Sequence, residues 1–131
     1  MTMVTSFSAR LFMTLGALNG AIAVAMGAFG AHGLRGRIDE RLFAAYQTGA
    51  HYHLVHALAL VVVGLLLFYR PVGIAGRLAA WSMVVGMVLF SGSLYLMAIT
   101  GTRWLGAITP LGGTALILAW VALATAAWKA R

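Results

Sequence analysis

Four long stretches of the chain are apolar and contain no Asp, Glu, Lys or Arg. They are Leu11–Leu34, Leu42–Tyr69, Leu78–Thr102 and Trp104–Trp128. Each reaches the roughly 20 residues that an α-helix needs to cross a bilayer, and in lipid a helix satisfies all of its own backbone polar groups. The pattern therefore predicts one all-α integral membrane domain, a four-transmembrane-helix bundle that occupies residues 1–131. Its approximate spans are 10–32, 50–69, 78–100 and 109–128.

Polar residues before the second stretch predict how the second helix begins. Asp39 is placed to cap this helix, and Glu40 follows in its first turn. Residues 39–49 are amphipathic enough to lie in the membrane interface, before or at the start of the helix. One continuous tilted helix fits the same residues equally well, so both arrangements stay open.

The other helix ends carry their own signals. Gly33 is predicted to end the first helix, and the Arg70-Pro71 pair is predicted to stop the second. Thr109 is predicted to cap the fourth helix directly before Pro110 at its first position. The first apolar stretch is longer than the 7–15 residues of a secretory signal, so it is expected to be a retained span.

The composition is also typical of an integral membrane protein, and the distribution of charge indicates what the basic residues bind. Hydrophobic residues make up 63% of the 131 residues and charged residues only 8%, whereas soluble domains are roughly 45–50% apolar and about 25% charged. The formal net charge is +7, but the basic residues flank the apolar stretches and form no stripe for nucleic acid. Lipid headgroups are therefore the expected partner of these charges. The chain has no cysteine, which excludes disulfides and thiolate chemistry.

The basic residues also predict an orientation, because cytoplasmic loops carry an excess of Lys and Arg. One membrane surface receives Arg10, Arg70, Arg77, Lys129 and Arg131, and the other receives Arg35, Arg37, Arg41 and Arg103. This small excess places both termini in the cytoplasm of a multi-pass membrane protein.

A row of small residues follows one face of the first helix. This small-residue seam consists of Gly16, Gly20, Ala23, Gly27 and Gly30. Small residues let helix backbones approach closely in lipid, so the seam predicts packing within the bundle or between copies in a homo-oligomer. Asn19, beside the seam, is expected to bond across a helix interface, whereas Ser91 can bond the backbone of its own helix.

Histidines are the candidate chemical groups of this sequence. His53 and His56 are three residues apart and share one face of the second helix, while His51 points nearly opposite His53. Since the loop between the first two helices is short, His32 is expected to converge with His53 and His56 as a candidate metal site.

Such a cluster has several interpretations. Three imidazoles suit Zn²⁺ or copper, an imidazole can be an axial ligand of haem, and histidines can relay protons near neutral pH. No Asp or Glu lies within a span as a counterion. The favoured interpretation is therefore the simplest, in which no cofactor binds and the histidines bond backbone carbonyls, tyrosines or water near the membrane edge.

Three stretches are distinctive in combination: GALNGAIAVAMGAFGAHGL, YHLVHALAL and SGSLYLMAITGTRWLGAITPLGG. They closely resemble the bacterial family catalogued as domain of unknown function 423, a relative of eukaryotic transmembrane protein 256, and the match extends over Leu11–Trp128. The resemblance implies a small four-helix protein of the bacterial inner membrane and no assigned activity. The motif positions that it carries over, without roles, are His32, His53, His56, Ser91, Thr109, Pro110 and Gly112.

These observations favour a non-enzymatic protein. The sequence contains no serine–histidine–acid set, no phosphate loop and no paired carboxylates for catalysis. The first hypothesis is a structural or accessory membrane protein, as a homo-oligomer or within a larger membrane complex. The second is a metal- or haem-binding protein, and the third is a small transporter or channel, which the absence of charged residues within the spans weakens.

Overall fold

The computed structural model describes residues 3–70 and 72–130, and nearly all of them are helical. In chain order the elements are α1 (Met3–Phe29), a π-helical turn (Gly30–Leu34), α2 (Glu40–Tyr69), α3 (Gly73–Gly86), a second π-helical turn (Met87–Ser91), α4 (Gly92–Thr100), a 3₁₀ turn (Arg103–Ala107) and α5 (Thr109–Lys129).

Four helical stretches in the described part of the chain are long and apolar enough to cross a membrane. They are Ser6–Leu34, Glu40–Tyr69, Gly73–Thr100 and Arg103–Lys129. This confirms the predicted all-α bundle of four transmembrane helices. Each stretch contains one of the predicted spans.

The start of α2 agrees with the cap that the sequence predicts. The Asp39 carboxylate accepts hydrogen bonds from the backbone N–H groups of Arg41 at 2.9 Å and Leu42 at 3.3 Å. The helix then runs without interruption to Tyr69. Residues 39–49 are therefore the first turns of the spanning helix and not a separate element.

The end of the first span corrects one prediction. The chain remains helical past Gly33, and the π-helical turn closes with a bond from the Arg35 N–H to the Gly30 carbonyl at 3.0 Å. This additional turn buries Leu34 against Tyr46, and that packing continues the helix beyond Gly33. The left-handed backbone position falls two residues later than Leu34, at Gly36 with φ of 75°.

Two predicted features fall on residues that lie outside the described part of the chain. They are Pro71 in the predicted helix stop and Arg131 in the orientation argument. The second helix does end at Tyr69, and Arg70 is extended with φ of −141°.

The four spans pair as two antiparallel hairpins. In the first, α1 and α2 approach so closely that a Cβ on Gly16 would lie 2.7 Å from the Val61 nitrogen, and one on Gly64 would lie 2.7 Å from the Met13 nitrogen. In the second, Gly86 and Gly112 have the same role between the third span and α5. Glycine thus sets the helix spacing in both hairpins.

The interior divides into two regions along the membrane normal. An apolar core surrounds the half of α2 that ends at Tyr69 and includes Phe12, Leu60, Val63 and Met83. Buried polar contacts are concentrated in the half nearer Glu40, where Tyr46 packs on Tyr95 with ring centroids 5.0 Å apart. His53 lies in this second region, and His56 lies one turn later, beside Ala57 at the boundary with the apolar core.

Candidate functional site

His53 is buried between three helices and bonds to two of them. Its Nε2 lies 2.9 Å from the Asn19 Oδ1 on α1, and its Nδ1 lies 2.9 Å from the Tyr95 hydroxyl on α4. Asn19 in turn donates from Nδ2 to the Leu15 carbonyl at 2.9 Å. We name these three side chains, Asn19, His53 and Tyr95, the polar row.

The hydrogen bonds of the polar row determine which atoms of Asn19 and His53 carry the protons. The Leu15 carbonyl only accepts, so the amide nitrogen of Asn19 faces it and the amide oxygen faces His53. His53 must therefore donate from Nε2 to the Asn19 amide oxygen, and when the ring is neutral its Nδ1 accepts from the Tyr95 hydroxyl. A neutral His53 thus satisfies every polar atom of the row in a part of the membrane where unsatisfied groups are costly.

The polar row does not form a continuous path for proton transfer. A proton leaving His53 at Nε2 would meet the Asn19 amide oxygen, and the amide leads only to the Leu15 backbone carbonyl. Neither group exchanges protons readily near neutral pH. The row therefore suits the joining of three helices better than the passage of protons.

His56 is buried one turn further and joins α2 to α5. Its Nδ1 lies 2.7 Å from the Tyr52 carbonyl, and its Nε2 accepts from the Trp120 indole N–H at 2.9 Å. Because the carbonyl only accepts and the indole only donates, His56 is neutral with its proton on Nδ1. The two buried histidines therefore have opposite tautomers, and each is held by groups on both sides.

His32 and His51 lie elsewhere. Both side chains are exposed, His32 in the π-helical turn after α1 and His51 on the outer face of α2. Among the described residues, no three His, Cys, Asp or Glu side chains are placed to hold a metal ion. The expected convergence of His32 with His53 and His56 is thus absent, because α2 turns His53 toward α1 and α4 and directs His56 toward α5.

Two hydroxyl groups also bond to neighbouring helices. Ser91, which could have bonded the backbone of its own helix, instead donates across the helix interface to the Gly49 carbonyl at 2.7 Å. Thr109 does not cap α5; its Oγ1 lies 2.7 Å from the Ser93 Oγ on the third span. In both cases a neighbouring helix offers a partner that the local sequence does not reveal.

The small-residue seam divides between two environments. Gly16 contacts α2, Ala23 is buried, and Gly30 lies so close to Tyr46 that a Cβ would be 2.5 Å from its ring. In contrast, a Cβ on Gly20 or Gly27 would meet nothing within 4 Å. Alternate members of the seam therefore pack within the bundle, and the others lie on an open surface of α1.

Sequence reasoning missed two partners of the histidines, Tyr95 and Trp120. Both are aromatic residues with a polar group, deep within an apolar span. Such a group needs a hydrogen-bond partner when it is buried, and that requirement was the available signal. In the described part of the chain no buried side-chain nitrogen or oxygen lacks a partner.

Comparison with known families identifies a family that matches most of the chain. The family described as protein of unknown function (DUF423) matches residues 26–113. The matched range contains His53, His56 and Tyr95, whereas Asn19 and Trp120 lie outside it.

Similar proteins are known over nearly the whole length. UPF0382 membrane protein YwdK of Bacillus subtilis is 48% identical over 92% of this chain and 98% of that protein. UPF0382 membrane proteins of Staphylococcus epidermidis and Staphylococcus aureus are 42% and 39% identical, each over 92% of this chain and 97% of the relative. No solved structure matches the chain.

Proposed function

The chain belongs to the DUF423 family of membrane proteins of unknown function, and from that premise we propose that it is a non-catalytic accessory protein of the bacterial inner membrane. In this proposal the buried histidines hold the bundle in one arrangement. The surface of α1 that faces lipid then associates with a second copy or with another membrane protein.

One observation carries this proposal: both buried histidines use both ring nitrogens in bonds within the chain. His53 bonds to Asn19 and Tyr95, and His56 bonds to Tyr52 and Trp120. A metal or haem iron would have to displace one of these partners and leave it unsatisfied in the apolar interior, which is costly. Interhelical bonds that fix a unique packing are the simpler use of these side chains.

We expect the protein, purified in mild detergent, to contain no stoichiometric metal and to show no Soret band. In the same preparation, His53→Gln and His56→Gln should each lower the free energy of unfolding by about 0.6 to 1.7 kcal/mol, the average and the maximum found for interhelical hydrogen bonds in a membrane protein. Elemental analysis, an absorption spectrum and thermal unfolding of each sample provide the measurement.

His51→Gln is the matched control, because His51 lies on the same helix and is exposed. It should leave unfolding unchanged. A bound metal or a Soret band that disappears in His53→Gln and His32→Gln would overturn the proposal and establish a cofactor site.

The open surface of α1 supports an association role. Gly20 and Gly27 lie on it without a contacting side chain, although small residues of this kind elsewhere in the bundle allow close helix contact. Val24, one turn after Gly20 on the same face of α1, is 63% exposed. This combination of glycines and an apolar side chain suits a partner helix within the bilayer.

The proposal includes an orientation with both termini in the cytoplasm, which the basic residues support. Since the chain has no native cysteine, single cysteines test this directly. In spheroplasts, a membrane-impermeant maleimide should label Ala107→Cys, and it should label Ala130→Cys only after lysis. The reverse pattern would contradict the orientation.

A further inference from the structure

A groove of about 380 Å³ opens between α1 and α2 at the membrane surface where α2 ends. Its lining consists of Arg10, Met13, Thr14, Leu65, Phe68 and Tyr69. None of these residues takes part in the polar row or in the bonds of His56. The groove is therefore separate from the candidate site described above.

The groove combines two kinds of surface at two depths. With a rise of 1.5 Å per residue, Arg10 lies about 36 Å along the helix from Leu34, slightly more than the roughly 30 Å thickness of the hydrocarbon layer. Arg10 and Tyr69 are thus at headgroup level. Met13 and Leu65 are further from the helix ends and line the part of the groove that adjoins the acyl chains.

The charged residues at this membrane surface are basic. Arg70, Arg77 and Lys129 lie at the same surface as Arg10, because each is near the matching end of its span. The two acidic residues of the chain are Asp39 and Glu40, at the opposite end of α2. The groove is therefore complementary to an anion at its rim.

We propose that this groove binds one anionic phospholipid of the surrounding membrane. The Arg10 guanidinium pairs with the headgroup phosphate, for which its planar donors are well suited, and the hydroxyl of Tyr69 at the same depth supplies a further donor. One acyl chain lies along Met13 and Leu65. The site is independent of the accessory role proposed above, because it uses neither the polar row nor the open surface of α1.

Native mass spectrometry of the full chain tests this site. The protein in mild detergent is mixed with palmitoyl-oleoyl-phosphatidylglycerol or with the zwitterionic phosphatidylcholine of the same chains, and the retained lipid is counted. We expect phosphatidylglycerol to be retained preferentially. Arg10→Gln should weaken that retention about fivefold, which corresponds to about 1 kcal/mol for one basic group near a membrane surface.

Two variants distinguish this site from general charge attraction. Arg77→Gln removes an equal charge from the same surface but outside the groove, and it should retain phosphatidylglycerol as the wild type does. Leu65→Trp fills the groove without changing charge and should lower retention as Arg10→Gln does. Size-exclusion profiles of all variants establish that each is folded.

Several outcomes would overturn the proposal. Equal loss in Arg77→Gln and Arg10→Gln would mean that surface charge alone attracts lipid. Equal retention of phosphatidylcholine would mean that the headgroup is not recognised. Full displacement of the lipid by inorganic phosphate would mean that the groove holds a free anion and makes no use of Met13 and Leu65.

Discussion

Gly112→Ala is expected to lower the free energy of unfolding by about 3 kcal/mol or more, at the upper end of the cost of overpacking a well-packed interior. The added Cβ would overlap the backbone nitrogen of Phe90 and lie 2.7 Å from the carbonyl carbon of Leu89. Both atoms belong to the backbone of the π-helical turn Met87–Ser91, so no side-chain rotation relieves the clash. The third span and α5 must separate. Thermal unfolding in detergent, followed by tryptophan fluorescence, provides the measurement.

Gly113→Ala is the matched control on the same helix. Its Cβ would lie 3.6 Å from the Phe90 ring, an ordinary contact, and alanine is a better helix former than glycine by about 1 kcal/mol. This variant should be neutral or slightly stabilised. If Gly112→Ala were as stable as Gly113→Ala, the close approach of α5 to the third span would be wrong.

A second pair of substitutions separates stability from association on α1. Gly16→Leu places its side chain against Val61 and the Ala57 carbonyl, where a Cβ alone would lie 2.9 Å from the carbonyl oxygen. We expect it to cost about 3 kcal/mol of stability. Gly20→Leu, one turn further, enters open space and should leave unfolding unchanged while it weakens association through the open surface.

Thermal unfolding measures the first effect, and light scattering coupled to size exclusion, together with cross-linking in membranes, measures the second. Equal loss of stability in both variants would contradict the division of the small-residue seam. If association were unchanged in Gly20→Leu, the proposed role of the open surface would fail, although the bundle and its polar row would still stand.

The histidine site shows why local sequence could not supply the contacts. The spacing of His53 and His56 predicts that they share a face of α2, yet it does not specify which helices lie against that face. In the folded chain His53 meets Asn19 and Tyr95, whereas His56 meets Trp120. A bond between residues 34, 42 or 64 positions apart depends on the arrangement of helices, which neither periodicity nor capping rules describe.

The helix ends also show that tertiary contacts can override local sequence signals. The cap at Asp39 is local, since its carboxylate bonds to N–H groups two and three residues away, and the sequence predicts it correctly. Gly33 and Thr109 also carry strong local signals for an end and a start. Burial of Leu34 and the hydroxyl of Ser93 compete with those signals, and the tertiary contacts determine the outcome.

The sequence by itself determined the four apolar helices, their membrane environment, the start of α2 and the family of the protein. These properties follow from composition and from interactions within one helix, because lipid requires each spanning segment to satisfy its own backbone. Only the tertiary structure decided the partners of His53 and His56, the separation of His32 from them, and which glycines of the seam are packed. Those features depend on contacts between helices, and in lipid such contacts come from shape and individual hydrogen bonds, which a hydrophobic pattern does not encode.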